Sequence, residues 1–317
     1  MTQAKPAPLD VVTMGETMAL LVADDIAQLK DVARFTKRLA GADTNVAIGL
    51  ARLGLKVGWI SRLGADSFGD YVRHSVAAEG IDISRVETDA TRSTGFMLKA
   101  RAAAGEDPAI EYYRRGSAAS LLSLEQFDEA YITDSRHFHA TGITPALSPA
   151  SAELVEHAMR TQRNRQHSVS FDPNLRPSLW PNEATMRTTL NRLAGNADWV
   201  MPGIAEGRLL TGRDTPYDIA GFYLDQGAQA VIIKLGKEGA YVRTATEQIE
   251  AAGVPVAHVI DTVGAGDGFA VGIISARLEG YDWARASARG NWIAAQAIQT
   301  IGDMEGLPLR AALPAHL

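Results

Sequence analysis

The chain has no cysteine among its 317 residues, so a disulfide scaffold and a thiolate-ligated metal are both excluded. It has no apolar run near the ~18 residues that cross a membrane. Its start, MTQAKPAPLD, lacks the basic and apolar regions of a signal peptide. There is no block of Lys and Arg, and the net charge is −6, which argues against DNA or another nucleic acid as a partner. These absences lead us to expect a cytoplasmic protein that binds a small soluble ligand. Apolar residues, by contrast, make up 46% of the chain, enough for one large domain with an attachment or for two ordinary domains.

The apolar residues alternate between strand and helix signals. Leu9 to Met14 and Val57 to Ser61 read as strands, and the segment Ala40 to Gly54 reads as a loop leading into a helix, with Asp43, Thr44 and Asn45 as start signals. Such alternation predicts a parallel α/β sheet. It breaks at Ser93 to Ala102 and Ala109 to Arg115, two strand-like runs with no helix between them. With Met18 to Val22 and Arg34 to Leu39 they could form a small second sheet that serves as a lid. Alternation resumes with a helix near Leu124 to Tyr131, strands at His137 to Ala140 and Ser168 to Phe171, and the proline-bounded loop DPNLRPSLW from Asp172. The expected domains are residues 1–15, 41–90 and 117–317 for the main α/β unit, and 16–40 and 91–116 for the lid.

The stretch VAHVIDTVGAGDGFAVGIISARL, from Val256 to Leu278, reads as a buried strand over Val256 to Ile260, a glycine turn and a helix. A glycine turn at a helix N-terminus presents unpaired N–H groups and the positive end of the dipole, so it attracts an anion. Asp267 lies in the first helical turn. There it would repel phosphate but could take a proton from a hydroxyl that attacks one. An acidic residue that merely complements the dipole gives the same local pattern. A dinucleotide-binding loop is disfavoured, because its glycines should follow the first strand.

The segment Ala40 to Gly64, with Gly41, Asn45, Ala47, Gly54 and Gly64, resembles the first signature of the ribokinase-like (PfkB) carbohydrate kinases, and Asp261 to Gly272 resembles the second. The resemblance implies a ribokinase-like doubly wound α/β/α sandwich with a small β-sheet lid. It also implies transfer of the ATP γ-phosphoryl group to a sugar hydroxyl. By it, Asp267 would be the base and the N–H groups of Gly264, Ala265 and Gly266 the anion hole. Asn174, Lys234, Gly236, Gly239 and Asn291 would lie near ATP. Lys234 and Asn291 could equally be surface or capping residues. Glu206 would organise Mg²⁺ through water, although Gly203 stands where the family's metal motif has asparagine. Asp261 matches a position that helps bind a monovalent cation such as K⁺, or is a turn aspartate.

The segments EYYRRGSAAS and DPNLRPSLW are similar to those of 2-keto-3-deoxygluconate kinases within the family. That similarity implies that Tyr112, Arg114 and Arg176 contact a sugar acid while Gly41 and Asn45 hold its hydroxyls. A carboxylate is matched by arginine's planar fork, which a neutral sugar would not require. Arg114 on an exposed strand face, and Arg176 in a loop ion pair or on an ATP phosphate, are the alternatives. Met97 stands where some relatives have tyrosine. Fructose or 5-keto-2-deoxygluconate remains a possible substrate, and a sugar-binding regulator without catalysis is a remote one. The lid suggests a homodimer, because its outer face would otherwise expose apolar groups. His137, His139, Trp283 and Trp292 read as structural.

Overall fold

The computed structural model describes residues 8–101 and 108–317. The chain start and the loop between the two lid runs, including Ala102, therefore lie outside the described residues. The first half contains β1 (Val11–Met14), β2 (Met18–Ala23), β3 (Phe35–Ala40), α1 (Ala42–Arg52), β4 (Val57–Gly64), α2 (Ser67–Ala78), β5 (Asp82–Asp89), β6 (Phe96–Lys99) and β7 (Ile110–Tyr113). After them come α3 (Glu129–Thr133), β8 (His137–Thr141), α4 (Ile143–Leu147), α5 (Pro149–Asn164), β9 (Ser168–Asp172), α6 (Glu183–Ala194), β10 (Trp199–Val200), α7 (Ile204–Thr211) and α8 (Pro216–Leu224). The chain continues through β11 (Ala230–Lys234), β12 (Gly239–Thr244), β13 (Gln248–Ala252), α9 (Ala265–Leu278) and α10 (Trp283–Ala297).

The main sheet has nine strands in the order β13-β12-β11-β10-β9-β8-β1-β4-β5. From β11 to β5 every neighbouring pair is parallel, while β12 and β13 pair antiparallel at one edge. Strands covered on both faces must be apolar on both, and β11 shows it. Its Ala230 and Ile232 enter the core layer with α1, α9 and α10, whereas Val231 and Ile233 enter the opposite layer with α5, α6 and α8. The result is the expected doubly wound α/β/α sandwich. The chain leaves β1 toward β4 on one side and later adds β8 on the other. Open sheets bind ligands at such a reversal, outside the carboxyl ends of the strands.

The expected small sheet is also present, in the order β3-β2-β6-β7. Met18, Leu20, Val22, Ala40 and Met97 form its own apolar cluster. The outer face is partly covered within the chain, since Phe96 packs on Phe68 and stacks on Tyr113.

Two expected elements are corrected. Val256 to Ile260 is not a buried strand: the segment joins no sheet, and Val259 and Ile260 are about half exposed. Its Ile260 and Asp261 amides instead donate to the Ile298 carbonyl beyond α10, so it runs past a helix end. The sheet edge is filled by β13 from just upstream. The helix near Leu124 to Tyr131 is split into a 3₁₀ turn, Leu124–Gln126, and α3. Ser123 caps the first, and the Asp128 side chain accepts from the Tyr131 amide and starts the second.

Candidate active site

A cavity of about 330 Å³ is lined from both sheets. The main sheet and its helices supply segments that follow β1, β8, β9 and β10, the last residue of β11, and the N-terminal ends of α1 and α9. The small sheet supplies Met18, Met97 and Tyr112, with Arg114 just beyond β7.

Asp267 reaches this cavity because α1 and α9 pack against each other at matched turns. One turn beyond Asn45 lies Gly49, and one turn beyond Asp267 lies Val271. A Cβ on Gly49 would come within 2.5 Å of the Val271 Cγ2, so only glycine lets the helices approach this closely. The approach sets the Asn45 Nδ2 2.8 Å from the Asp267 Oδ2, to which it donates. We expect Gly49→Val to destabilise the fold by about 1–3 kcal/mol through overpacking, outweighing the gain of up to ~1 kcal/mol from replacing a helical glycine. Thermal melting and turnover should fall together; a variant as stable and active as the parent would contradict this account of the pairing.

The second oxygen of Asp267 accepts from the Asn174 Nδ2 at 3.4 Å. Asn174 has φ 38°, a left-handed conformation rare outside glycine, and its amide donates to the Asp172 Oδ1. Burial pushes the Asp267 carboxyl up to about 7, and Asp172 and Asp303 push the same way, against the Asn45 hydrogen bond and Lys234. A carboxylate with that affinity suits a proton acceptor near neutrality. Beside it, Gly264 is the left-handed N-cap of α9, with φ 83°. A Cβ there would lie 2.2 Å from the Asp303 carbonyl oxygen. The N–H groups that follow begin a helix and have no helical partner.

Lys234, at the end of β11, donates to the Asp172 Oδ2 at 2.5 Å. Burial alone would push its ammonium down, but Asp172 and Glu206 hold it above its ordinary value. Glu206 also faces the cavity, and its carboxylate is fixed by backbone donors: Gly203 at 2.6 Å and Leu175 at 2.7 Å. Gly203 is thus the N-cap of α7, and the Glu206 carboxylate reaches back to its amide, the one half of a capping box that a glycine N-cap allows. No group of three or more His, Asp or Glu able to hold a metal occurs among the described residues. One oriented carboxylate with spare lone pairs fits an ion carried mainly by phosphate and water oxygens.

Arg114 also lines the cavity and is 8% exposed. It does not project freely. Its Nε and Nη2 donate to the buried Glu16 Oε2 at 2.6 and 2.5 Å, and Ser117 donates to Oε1 of the same carboxylate. Tyr112 is about half exposed, and the Arg176 Nη1 donates to the Leu175 carbonyl at 2.8 Å. Gly41 is the N-cap of α1; a Cβ there would meet the Glu16 carbonyl at 2.6 Å.

Of the residues singled out from the sequence, the cavity brings together Gly41, Asn45, Tyr112, Arg114, Asn174, Arg176, Glu206, Lys234, Gly264, Gly266 and Asp267. Ala265 belongs to the same turn. Gly236, Gly239 and Asn291 do not line it. Asn291 donates to the Ala251 and Ala252 carbonyls and so ties α10 to β13, and Gly239 is held close to the Ala251 carbonyl. Asp261 is buried against Lys99 of β6, whose ammonium lies 2.5 Å from the Asp261 Oδ2 and 3.5 Å from the Asp303 Oδ1. Burial pushes the Asp303 carboxyl up to about 6. Glu16, Asp172 and Asp303 are the cavity or cavity-wall carboxylates that sequence reasoning missed. For Glu16 and Asp172 a signal existed, a carboxylate just past or at a strand's C-terminal end; for Asp303 none did. His137 and His139 are buried in β8 and bonded to Ser168 and Ser170, with burial holding both rings neutral, so they are structural.

The chain matches the model of the pfkB family carbohydrate kinases over residues 9–310. It is 50% identical over 310 residues to the 2-dehydro-3-deoxygluconokinase of Bacillus subtilis (strain 168), covering 98% of this chain and 95% of the relative. Among solved structures, a PfkB protein from Polaromonas sp. JS666 superposes with a TM-score of 0.89 at 52% identity, over 96% of this chain and 98% of that one. An E. coli protein solved in complex with ATP and Mg²⁺ superposes with a TM-score of 0.88 at 30% identity, over 96% of this chain and 97% of that one.

Proposed function

The chain belongs to the pfkB family of carbohydrate kinases, and on that premise we propose that it phosphorylates the 6-hydroxyl of 2-keto-3-deoxygluconate with ATP. The observation that carries the proposal is one cavity that gathers a buried, high-affinity proton acceptor, an anion-attracting turn and two guanidinium groups. The kinase relative named for this sugar acid, half identical over nearly the whole chain, supports the same substrate.

In this mechanism Asp267, aimed by Asn45 and Asn174, takes the proton from the attacking hydroxyl. The N–H groups of Gly264, Ala265 and Gly266 hold the charge that develops on the transferred phosphoryl group, and Lys234 adds a fixed positive charge beside them. Little covalent work is asked of the protein, so alignment of hydroxyl and phosphate carries most of the rate. Glu206 would orient water around the Mg²⁺ that accompanies ATP, an ion that offsets phosphate charge. Gly236 and Gly239 would border the nucleotide, and Asn291 would act on it through the β13 backbone that it holds. Arg114 and Arg176 would take the sugar carboxylate, Tyr112 and Gly41 would border the sugar, and the small sheet would close over it. A second copy docking on the small sheet would cover Tyr113 and Leu98, so a homodimer is part of the proposal. A cytoplasmic location, where ATP is at hand, is part of the same proposal.

The test is a coupled assay of ADP release over 2-keto-3-deoxygluconate, 5-keto-2-deoxygluconate, fructose and ribose. We expect the first to give the highest kcat/KM; a neutral sugar turned over equally well would overturn the carboxylate assignment. Arg176 is solvent-exposed, so its charge-assisted bond falls at the weak end, ~1.5 kcal/mol. Arg176→Ala should therefore raise KM for the acid about tenfold and leave kcat and melting temperature nearly unchanged.

A further inference from the structure

Strand alternation gives Met97 and Lys99 the same face of β6, and that face looks inward. Met97 lines the cavity, while Lys99, 2% exposed, passes deeper and ends between two buried carboxylates. Both acids belong to the walls of the glycine turn. Asp261 stands three residues before Gly264, accepts from the Val263 amide at 3.1 Å through Oδ1, and accepts from the Gly302 amide at 3.3 Å through Oδ2. Asp303 follows Gly302, and its carbonyl is the group that presses on Gly264. A buried carboxylate demands a partner cation, and two of them side by side demand one more strongly. That cation is part of the chain. The residues here do not fit a separate monovalent ion at Asp261, because an ammonium already stands against its Oδ2.

We propose that Lys99 is the built-in counter-cation of the glycine turn, replacing the monovalent cation expected at Asp261 and tying the small sheet to the anion hole. It is a positioning residue: it touches neither phosphate nor sugar, and acts by holding the two segments that frame Gly264. The inference rests on the proposed role of that turn, but it makes a separate demand, that catalysis be indifferent to K⁺.

Rates would be measured for the intact protein in KCl, NaCl and choline chloride at equal ionic strength, with melting temperatures of the ligand-free protein in the same salts. The parent should vary less than about twofold in rate and should melt alike in all three. Lys99→Ala should lose tenfold or more in kcat in choline, since small displacements of aligned groups are that costly. K⁺ should restore much of the loss and raise the melting temperature of this variant alone. Lys99→Arg keeps the charge and should need no added cation. A parent enzyme stimulated several-fold by K⁺ would overturn the proposal and leave the kinase assignment intact. Full activity of Lys99→Ala in choline, or a loss that no cation restores in rate or melting, would overturn it as well. If Lys99→Ala does not fold, the salt series of the parent and of Lys99→Arg still decides.

Discussion

Asp267→Asn is expected to lower kcat by about 10²- to 10⁴-fold with little change in ATP affinity, the range that loss of a positioned general base produces. The amide keeps the size of the carboxyl but accepts no proton. The pH dependence identifies the cause. Because the parent carboxyl is raised to about 7, its basic form is the minority below that pH. The kcat/KM of the parent should rise about tenfold per pH unit up to about 7 and then level, while the residual rate of Asp267→Asn should lack that limb. Stability should move the other way. A carboxyl raised in the folded state costs nothing below its unfolded value near 3.8 and costs more as pH climbs to about 7. The Asn variant escapes that cost, so it should melt near the parent at pH 4 and above it at pH 8. Retained turnover would remove Asp267 as the base; a variant that is inactive and melts lower at pH 8 would instead point to damage in the Asn45 and Asn174 network.

What was legible in the sequence was local. The Asp261 to Gly272 stretch spoke for an anion site because glycine spacing and a first-turn carboxylate are local facts, and the turn does cap α9. The strand expected before it is absent, since an apolar run does not reveal whether it lies in a sheet or runs exposed past a helix end. β5 and β13 gave no signal for a related reason: both are edge strands in which polar residues interrupt the apolar ones, so neither shows an apolar run. The α8 helix does carry start signals in the sequence, Thr215 as N-cap and Pro216 in the first turn. Long-range partners were beyond reach. Asn45 was assigned to substrate hydroxyls, yet its amide nitrogen is given to a carboxylate 222 positions away. Likewise nothing in the run GFMLK distinguishes a lysine that faces solvent from one that faces inward, and only the packing of the small sheet over the turn shows it buried among acids.

The same gap between residue type and partner shapes the second large effect, at Arg114. Had this arginine met the substrate with no partner inside the protein, its removal would have cost only substrate affinity. Instead Nε and one edge of Nη2 are spent on Glu16, a carboxylate only 2% exposed, which leaves the Nη1 side for a sugar carboxylate. Arg114→Ala should then do two things at once. Losing a charge-assisted contact of about 1.5–3 kcal/mol should cut kcat/KM for the acid by about 10- to 150-fold. Stranding Glu16 should cost about 3–5 kcal/mol of stability, the penalty for removing one partner of a buried pair. The double variant Glu16→Gln with Arg114→Met separates them. With no charge left to strand, its melting temperature should return most of the way to that of the parent, while kcat/KM for the acid stays low and turnover of a neutral sugar is no worse than in the single variant. Recovery of kcat/KM along with stability would show that Arg114 serves Glu16 alone, and the carboxylate contact would then fall to Arg176.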